Sequence, residues 1–317
     1  MIGYTLNRLL QAIPVLFLVS LFAFGIIYLI PGDAATVIGG PTATAADLEQ
    51  IRRNLGLDQP FHVQILTFYT NLFQGDLGRS LLLGIPVTEA LIQRSPITVG
   101  IAIYSLAITI VFGLITGIVA ALNHNKWLDQ AATLFALVGV SLPNFWLALV
   151  MIVIFSVYLG WLPTGGYVPF TEDPVGWLRT TTMPAVALAL LQAGLLTRIT
   201  RSTMLEVLGQ DYIRTARAKG LSEWQVIGQH ALANVMMPVV TVMGLILSVL
   251  LSGSIIIETI FGVPGIGALM GNAIMSRDYP MVQGGLFFIT AALLLLNIVI
   301  DVLYTWLDPR IRVKGGD

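Results

Sequence analysis

Residues 9–30 read LLQAIPVLFLVSLFAFGIIYLI, and this run decides the fold. It contains no charged residue and follows a single arginine, Arg8. At 1.5 Å per residue it makes a helix of roughly 33 Å, enough to cross a hydrocarbon core of about 30 Å. A secretory signal has an apolar core of only about 7–15 residues before a small-residue cleavage site. The run therefore reads as a retained first membrane helix, although Ala34-Ala35 would also suit a cleaved leader.

Five further apolar stretches follow, over 97–122, 131–159, 181–202, 235–260 and 284–307. Each approaches or exceeds the ~20 residues that span a bilayer. Composition agrees. Of the 317 residues 56% are hydrophobic and 10% charged, where a soluble domain carries about 25% charge. So little charge cannot coat a globule of this size, and lipid must face much of the chain. The fold class is all-α, a polytopic membrane protein with six transmembrane helices. Pro143 and Pro184 interrupt two runs, which membrane helices tolerate when neighbours satisfy the freed carbonyl. Gly113 and Gly117 form a GxxxG pattern, read as coincidence in an apolar, glycine-rich chain. A net charge of −1 gives no basic stripe for nucleic acid. The absence of cysteine excludes disulfides and Cys-ligated metals, and His62, His124 and His230 form no metal motif.

With both termini cytoplasmic, the inside segments hold Arg8, Lys126, Arg198, Arg201, Arg214, Arg217, Lys219, Arg310, Arg312 and Lys314. The outside segments hold Arg52, Arg53, Arg79, Arg94, Arg179 and Arg277, mostly within one long loop. Positive charge favours the cytoplasmic side, so the bias supports that orientation. Three regions follow. Residues 1–30 are the N-terminus and first helix, and 31–96 an extracytoplasmic cap with helices near 48–56 and 60–73. Residues 97–317 form a five-helix core with a long cytoplasmic loop at 203–234.

The strongest local signal lies in that loop: Asp211-Tyr212-Ile213-Arg214-Thr215-Ala216-Arg217-Ala218-Lys219-Gly220-Leu221-Ser222. Asp211 reaches Arg214 and Thr215 along one helix face. Gly220 suits the left-handed residue that ends a helix, and Ser222-Glu223 start another. The small residues Ala216, Ala218 and Gly220 would let a partner's surface come close. The bland alternative is a loop that merely obeys the charge bias. Gly262 to Gly267 has P-loop glycine spacing, but Ala268 replaces the required lysine, so it reads as a turn. Trp127, Trp146, Trp161, Trp177 and Trp306 fit interfacial positions.

This segment resembles the cytoplasmic EAA loop of bacterial ABC-importer permeases, in the variant of the dipeptide/oligopeptide/nickel permease family, first-subunit type. The resemblance covers essentially the whole chain. It includes Arg8-Leu9-Leu10, Ile30-Pro31-Gly32-Asp33, Arg53-Asn54-Leu55-Gly56-Leu57-Asp58-Gln59-Pro60 and Gly75-Asp76-Leu77-Gly78-Arg79-Ser80. It continues in Ser141-Leu142-Pro143-Asn144-Phe145-Trp146, Phe261-Gly262-Val263-Pro264-Gly265-Ile266-Gly267, Arg277-Asp278-Tyr279-Pro280 and Leu307-Asp308-Pro309-Arg310-Ile311-Arg312. Arg214 stands where the general EAA motif has glutamate, and Met237-Pro238 lies further from Gly220 than the general spacing. The resemblance implies a type I importer architecture in the bacterial plasma (inner) membrane. It implies a second homologous permease subunit, two cytoplasmic ATPase subunits that bind ATP and Mg, and an extracytoplasmic substrate-binding protein. This chain would hold no cofactor and no catalytic residue. Residues 211–221 would form the ATPase-coupling element, with the substrate a short peptide, or a nickel chelate, glutathione or an oligosaccharide.

Intramembrane acids usually face a bundle interior or aqueous path. Glu258 and Asn144 are the residues expected on the translocation path, with an interfacial structural role the alternative for Glu258. Asp301 is expected to pair near the inner interface, and Glu206 to be solvated. Two other classes weigh less. An intramembrane hydrolase needs a positioned base or two apposed acids, and the GxGD signature is absent. A secondary transporter often shows an internal repeat and midplane charges, neither of which stands out.

Overall fold

A computed structural model describes residues 2–29, 34–40, 43–54, 56, 58–252 and 254–307. The expected motifs at 30–33 and 308–312, and Leu55 and Leu57, lie outside the described residues. In chain order the helices are α1 (Ile2–Leu29), α2 (Ala34–Gly39), α3 (Ala45–Asn54), α4 (Phe61–Phe73), α5 (Val87–Leu122) and α6 (Trp127–Ser141). Then come α7 (Asn144–Met151), a π-helical continuation (Ile152–Tyr158), α8 (Pro174–Leu208) and α9 (Asp211–Ala218). A short α10 (Glu223–Gln225) and a second π segment (Val226–Ala231) lead into α11 (Leu232–Ser252). The chain continues with α12 (Ser254–Ile260), α13 (Ile266–Met275) and α14 (Tyr279–Leu307). No strand forms among the described residues.

Among the described residues, five helical stretches are long and apolar enough to cross a membrane, and a bent pair would make a sixth. That pair corrects the expectation for 131–159. Instead of one helix, α6 and the α7 stretch meet at 102°. Leu142 is extended, with φ −86° and ψ 127°, the conformation that a following proline favours in its neighbour. By contrast Pro14, Pro96, Pro184 and Pro238 lie inside their helices. Polar flanks also join helices. Residues 87–96, expected in the cap, begin the 36-residue α5, and 203–208, expected in the inner loop, finish α8.

The chain divides into two compact units, residues 1–97 with 264–298, and 98–263 with 299–317. In the first, α1 meets α4 through aromatic rings. Phe17 stacks on Tyr69 with centroids 5.7 Å apart, and Phe24 meets Phe68 at 5.4 Å. The buried core combines Val87, Ala90 and Leu91 of α5 with Met270 and Ala273 of α13 and Met281 of α14. Asp278 anchors a turn there. It is 2% exposed and accepts from the Ser80 hydroxyl at 2.5 Å and the Leu82 N–H at 3.1 Å.

The second unit is organised on α8. Asp173 caps it by accepting from the Val175 N–H at 2.9 Å, and Pro174 fits its first turn. Helices α6, α7, α11 and α12 pack against it. Its inward positions are small: Ala185, Ala187, Ala189 and Ala193 are buried. The GxxxG pattern is part of this packing, not coincidence. A Cβ on Gly113 would come within 2.8 Å of Leu196, and one on Gly117 within 2.6 Å of Thr200. Between the two glycines, the Thr116 and Thr197 hydroxyls lie 2.6 Å apart, the close contact that small residues allow between membrane helices. Outward-facing apolar residues, among them Phe17, Phe22, Phe112 and Ile115, remain exposed, as a lipid-facing surface requires.

Candidate functional site

The 211–231 segment folds as expected, and more tightly. Helix α9 is amphipathic, with Ile213 and Ala216 as its buried residues. They lie one turn apart, on one face, and α9 packs on the π segment 226–231, where Val226 and Ala231 are fully buried. The opposite face, with Asp211, Arg214, Thr215, Ala218 and Lys219, is exposed, and Tyr212 is 43% exposed.

The helix ends in a Schellman turn. Gly220 N–H donates to Arg217 O at 2.9 Å, and Leu221 N–H donates to Ala216 O at 3.4 Å. Gly220 has φ +81°, a left-handed conformation glycine adopts without penalty. Ser222 restarts the chain as a helix, its N–H and hydroxyl both donating to Gln225 Oε1, at 3.1 and 2.9 Å. Arg217 clamps the turn by donating to both Glu223 carboxylate oxygens, at 2.8 and 3.2 Å. That carboxylate raises the guanidinium pKa above its ordinary value, which leaves its charge unchanged in water. Trp224, beside the clamp, is 83% exposed.

The structure divides the sequence-derived set. Tyr212, Arg214, Thr215, Ala218, Lys219 and Gly220 are exposed, whereas Ala216 turns into its own chain. Glu258 is 1% exposed in α12 and accepts from the Thr98 hydroxyl at 2.7 Å. Asn144 is half-buried at the start of α7, at the 102° break. Helix α7 packs on α12, so neighbouring helices carry Asn144 and Glu258. Glu206 is exposed at the end of α8, and Asp301 is half-buried and engaged with another group. Trp177 packs on Tyr104 and Phe170, whereas Trp127, Trp146 and Trp161 are exposed. The Trp306 side chain lies outside the described residues.

Sequence reading missed one site. Asp129, 4% exposed in the first turn of α6, is bound by Arg201 of α8 through two N–H donors, the second at 2.8 Å from Oδ2. Asn125 N–H also donates to it at 2.9 Å, and the His124 ring lies 3.4 Å away. The signal was present: an acid opening one apolar run and a base closing another are expected to pair.

Inward-facing structures of the MetNI methionine ABC transporter align with TM-score 0.55 at 17% identity, over 69% of this chain and 96% of that one. An amino acid ABC transporter aligns with TM-score 0.50 at 16% identity, over 70% and 94%. The fold is therefore that of ABC importer permeases. Residues 113–313 match the family described as binding-protein-dependent transport system inner membrane component, and 1–102 match its N-terminal family. The chain belongs to this family, as the permease component of a binding-protein-dependent ABC importer. A Brucella abortus protein that carries the name peptide transport system permease protein is 49% identical, over 98% of this chain and 99% of its own. The Escherichia coli glutathione transport system permease protein GsiC is 41% identical, over 99% and 100%.

Proposed function

We propose that this chain forms half of a translocation path for short peptides, coupled to ATP hydrolysis in partner subunits through residues 211–221. The carrying observation is the firmly held segment around α9, with one face exposed. Two buried residues, a Schellman end, the Arg217–Glu223 clamp and the Ser222–Gln225 restart hold its exposed face in one geometry. Only an element with different contacts in two states can shift the equilibrium between them. A loop fixed this firmly between α8 and α11 carries a push from outside into both helices.

Two cytoplasmic ATPases, binding ATP and Mg, dock on the exposed face of α9, where Ala218 permits close approach and Gly220 holds the turn that ends the helix. A second homologous permease completes the path, and an extracytoplasmic binding protein delivers substrate to the cap. Both termini lie in the cytoplasm and the membrane is the bacterial plasma (inner) membrane. Glu258 and Asn144 belong to the path, reached when the helices around them part. Peptide specificity rests on the names of the relatives. Glutathione, the substrate in the GsiC name, is the second reading and is itself a small peptide derivative; nickel chelates and oligosaccharides stand behind it.

The test is site-directed crosslinking in cells. Cysteines at Ala218 and Lys219 should crosslink to a cytoplasmic ATPase, whereas one at exposed Leu66 in α4 should not. Crosslinks from Leu66 but not from Ala218 or Lys219 would refute the assignment.

A further inference from the structure

The first unit contains a cleft of about 240 Å³ lined by parts of α1, α4, the 76–81 turn and the start of α14. We propose that it binds a primary ammonium carried on a small apolar body, and that the amino-terminal residue of a short peptide supplies both. The substrate class rests on the short-peptide function proposed above.

Charge gives the first argument. Asp76 lines the cleft and is exposed, and no lysine, arginine or histidine joins it in the lining among the described residues. The Gly78 N–H donates to Asp76 Oδ1 at 2.8 Å, which fixes the carboxylate. A cation is therefore favoured, and a carboxylate or phosphate would find no cationic partner among the described lining residues. That disfavours the carboxyl end of a peptide. It also disfavours a phosphatidylethanolamine headgroup, whose phosphate lies two carbons from its ammonium.

The walls give the second. Phe24, Phe68, Tyr279 and Phe287 line the cleft, and Phe24 and Phe68 pack with centroids 5.4 Å apart. Aromatic faces attract ammonium groups and accept apolar side chains. Tyr279 adds an unmet demand. It is 3% exposed, and its hydroxyl has no hydrogen-bond partner among the described residues. Buried polar groups are rarely left so, and a peptide carbonyl or amide would complete it. Size is the third argument. The cleft falls below the ~300–1,000 Å³ of drug-sized sites, so it takes one or two residues.

The experiment uses the complete transporter without its binding protein, in nanodiscs of phosphatidylcholine and phosphatidylglycerol. The dipeptide Phe-Gly is titrated by saturation-transfer NMR, with N-acetyl-Phe-Gly as the uncharged control. Saturable Phe-Gly binding is expected, with at least tenfold weaker binding of the acetylated probe to the wild-type protein. Asp76→Asn keeps the acceptor for Gly78 and should also weaken Phe-Gly at least tenfold; Tyr279→Phe should weaken it severalfold. Absence of Phe-Gly binding, equal binding of the acetylated probe, or indifference to both substitutions would overturn the proposal. So would native mass spectrometry showing added phosphatidylethanolamine held by wild type and lost in Asp76→Asn while Phe-Gly does not bind. ATP-dependent peptide uptake that persists without binding at the cleft sinks only this inference. Absence of peptide uptake by the intact wild-type system sinks the short-peptide function.

Discussion

Ala216 and Gly220 stand one helical turn apart and act differently. Ala216 is buried against its own chain, so Ala216→Glu would leave a desolvated charge there, costing several kcal/mol. The loop should lose its shape, and ATPase co-purification should fall with uptake while the chain still inserts in the membrane. Arg217→Ala removes only a pair that is 41% and 62% exposed, worth about 1 kcal/mol or less. Its uptake should weaken, not vanish; wild-type uptake in Ala216→Glu at normal expression would show that this face is misplaced. At Gly117 the constraint is space. A leucine there would drive into Thr200 and the Thr197 carbonyl, and overpacking costs about 1–3 kcal/mol. Melting of the purified protein should occur at lower temperature for Gly117→Leu than for Leu122→Ala, where the side chain is exposed.

Between elements, the Asp129–Arg201 pair ties the start of α6 to α8. Removing one partner of a buried pair costs about 3–5 kcal/mol; Arg201 is 27% exposed, so the lower end applies. Asp129→Ala should cut folded yield more than the double variant Asp129→Ala/Arg201→Ala, with the coupling read from a double-mutant cycle. Additive losses would deny the pair a structural role. The cap carries another prediction. Crosslinkers at Leu57–Gln64 or Asp76–Ser80 should capture the binding protein; capture only at 160–180 and 262–283 would make the cap structural. The helices at this scale were legible because apolar runs of this length have one stable form in lipid. The 102° break was not, since a proline within an apolar run can be absorbed, as at Pro184, or can break the helix, as at Pro143. What decides is the packing of neighbours, which one run does not contain. Likewise the Gly113–Gly117 contact needed its partner, Leu196 and Thr200 of α8, before it differed from chance.

At the scale of the molecule, the proposed topology and the proposed coupling are joined. The loop at 209–222 was legible almost residue by residue because a left-handed glycine and a helix restart are local chemistry. That Ala216 is buried against its own chain was not, because that depends on the fold of 226–231. Reporter fusions at Asn71 and Gln210 should report opposite sides of the membrane, with Asn71 outside; same-side signals would contradict six crossings. The most direct measurement is peptide uptake into proteoliposomes holding this chain, the second permease, two ATPases and the binding protein. Gly220 has φ +81° and open space around its missing Cβ, so conformation alone separates two substitutions there. Asparagine tolerates the left-handed region, whereas a β-branched residue does not. Gly220→Asn should retain most ATP-dependent uptake and Gly220→Val should abolish it, with ATPase association falling in parallel and membrane insertion unchanged. Equal, wild-type uptake by both variants would contradict coupling through this turn.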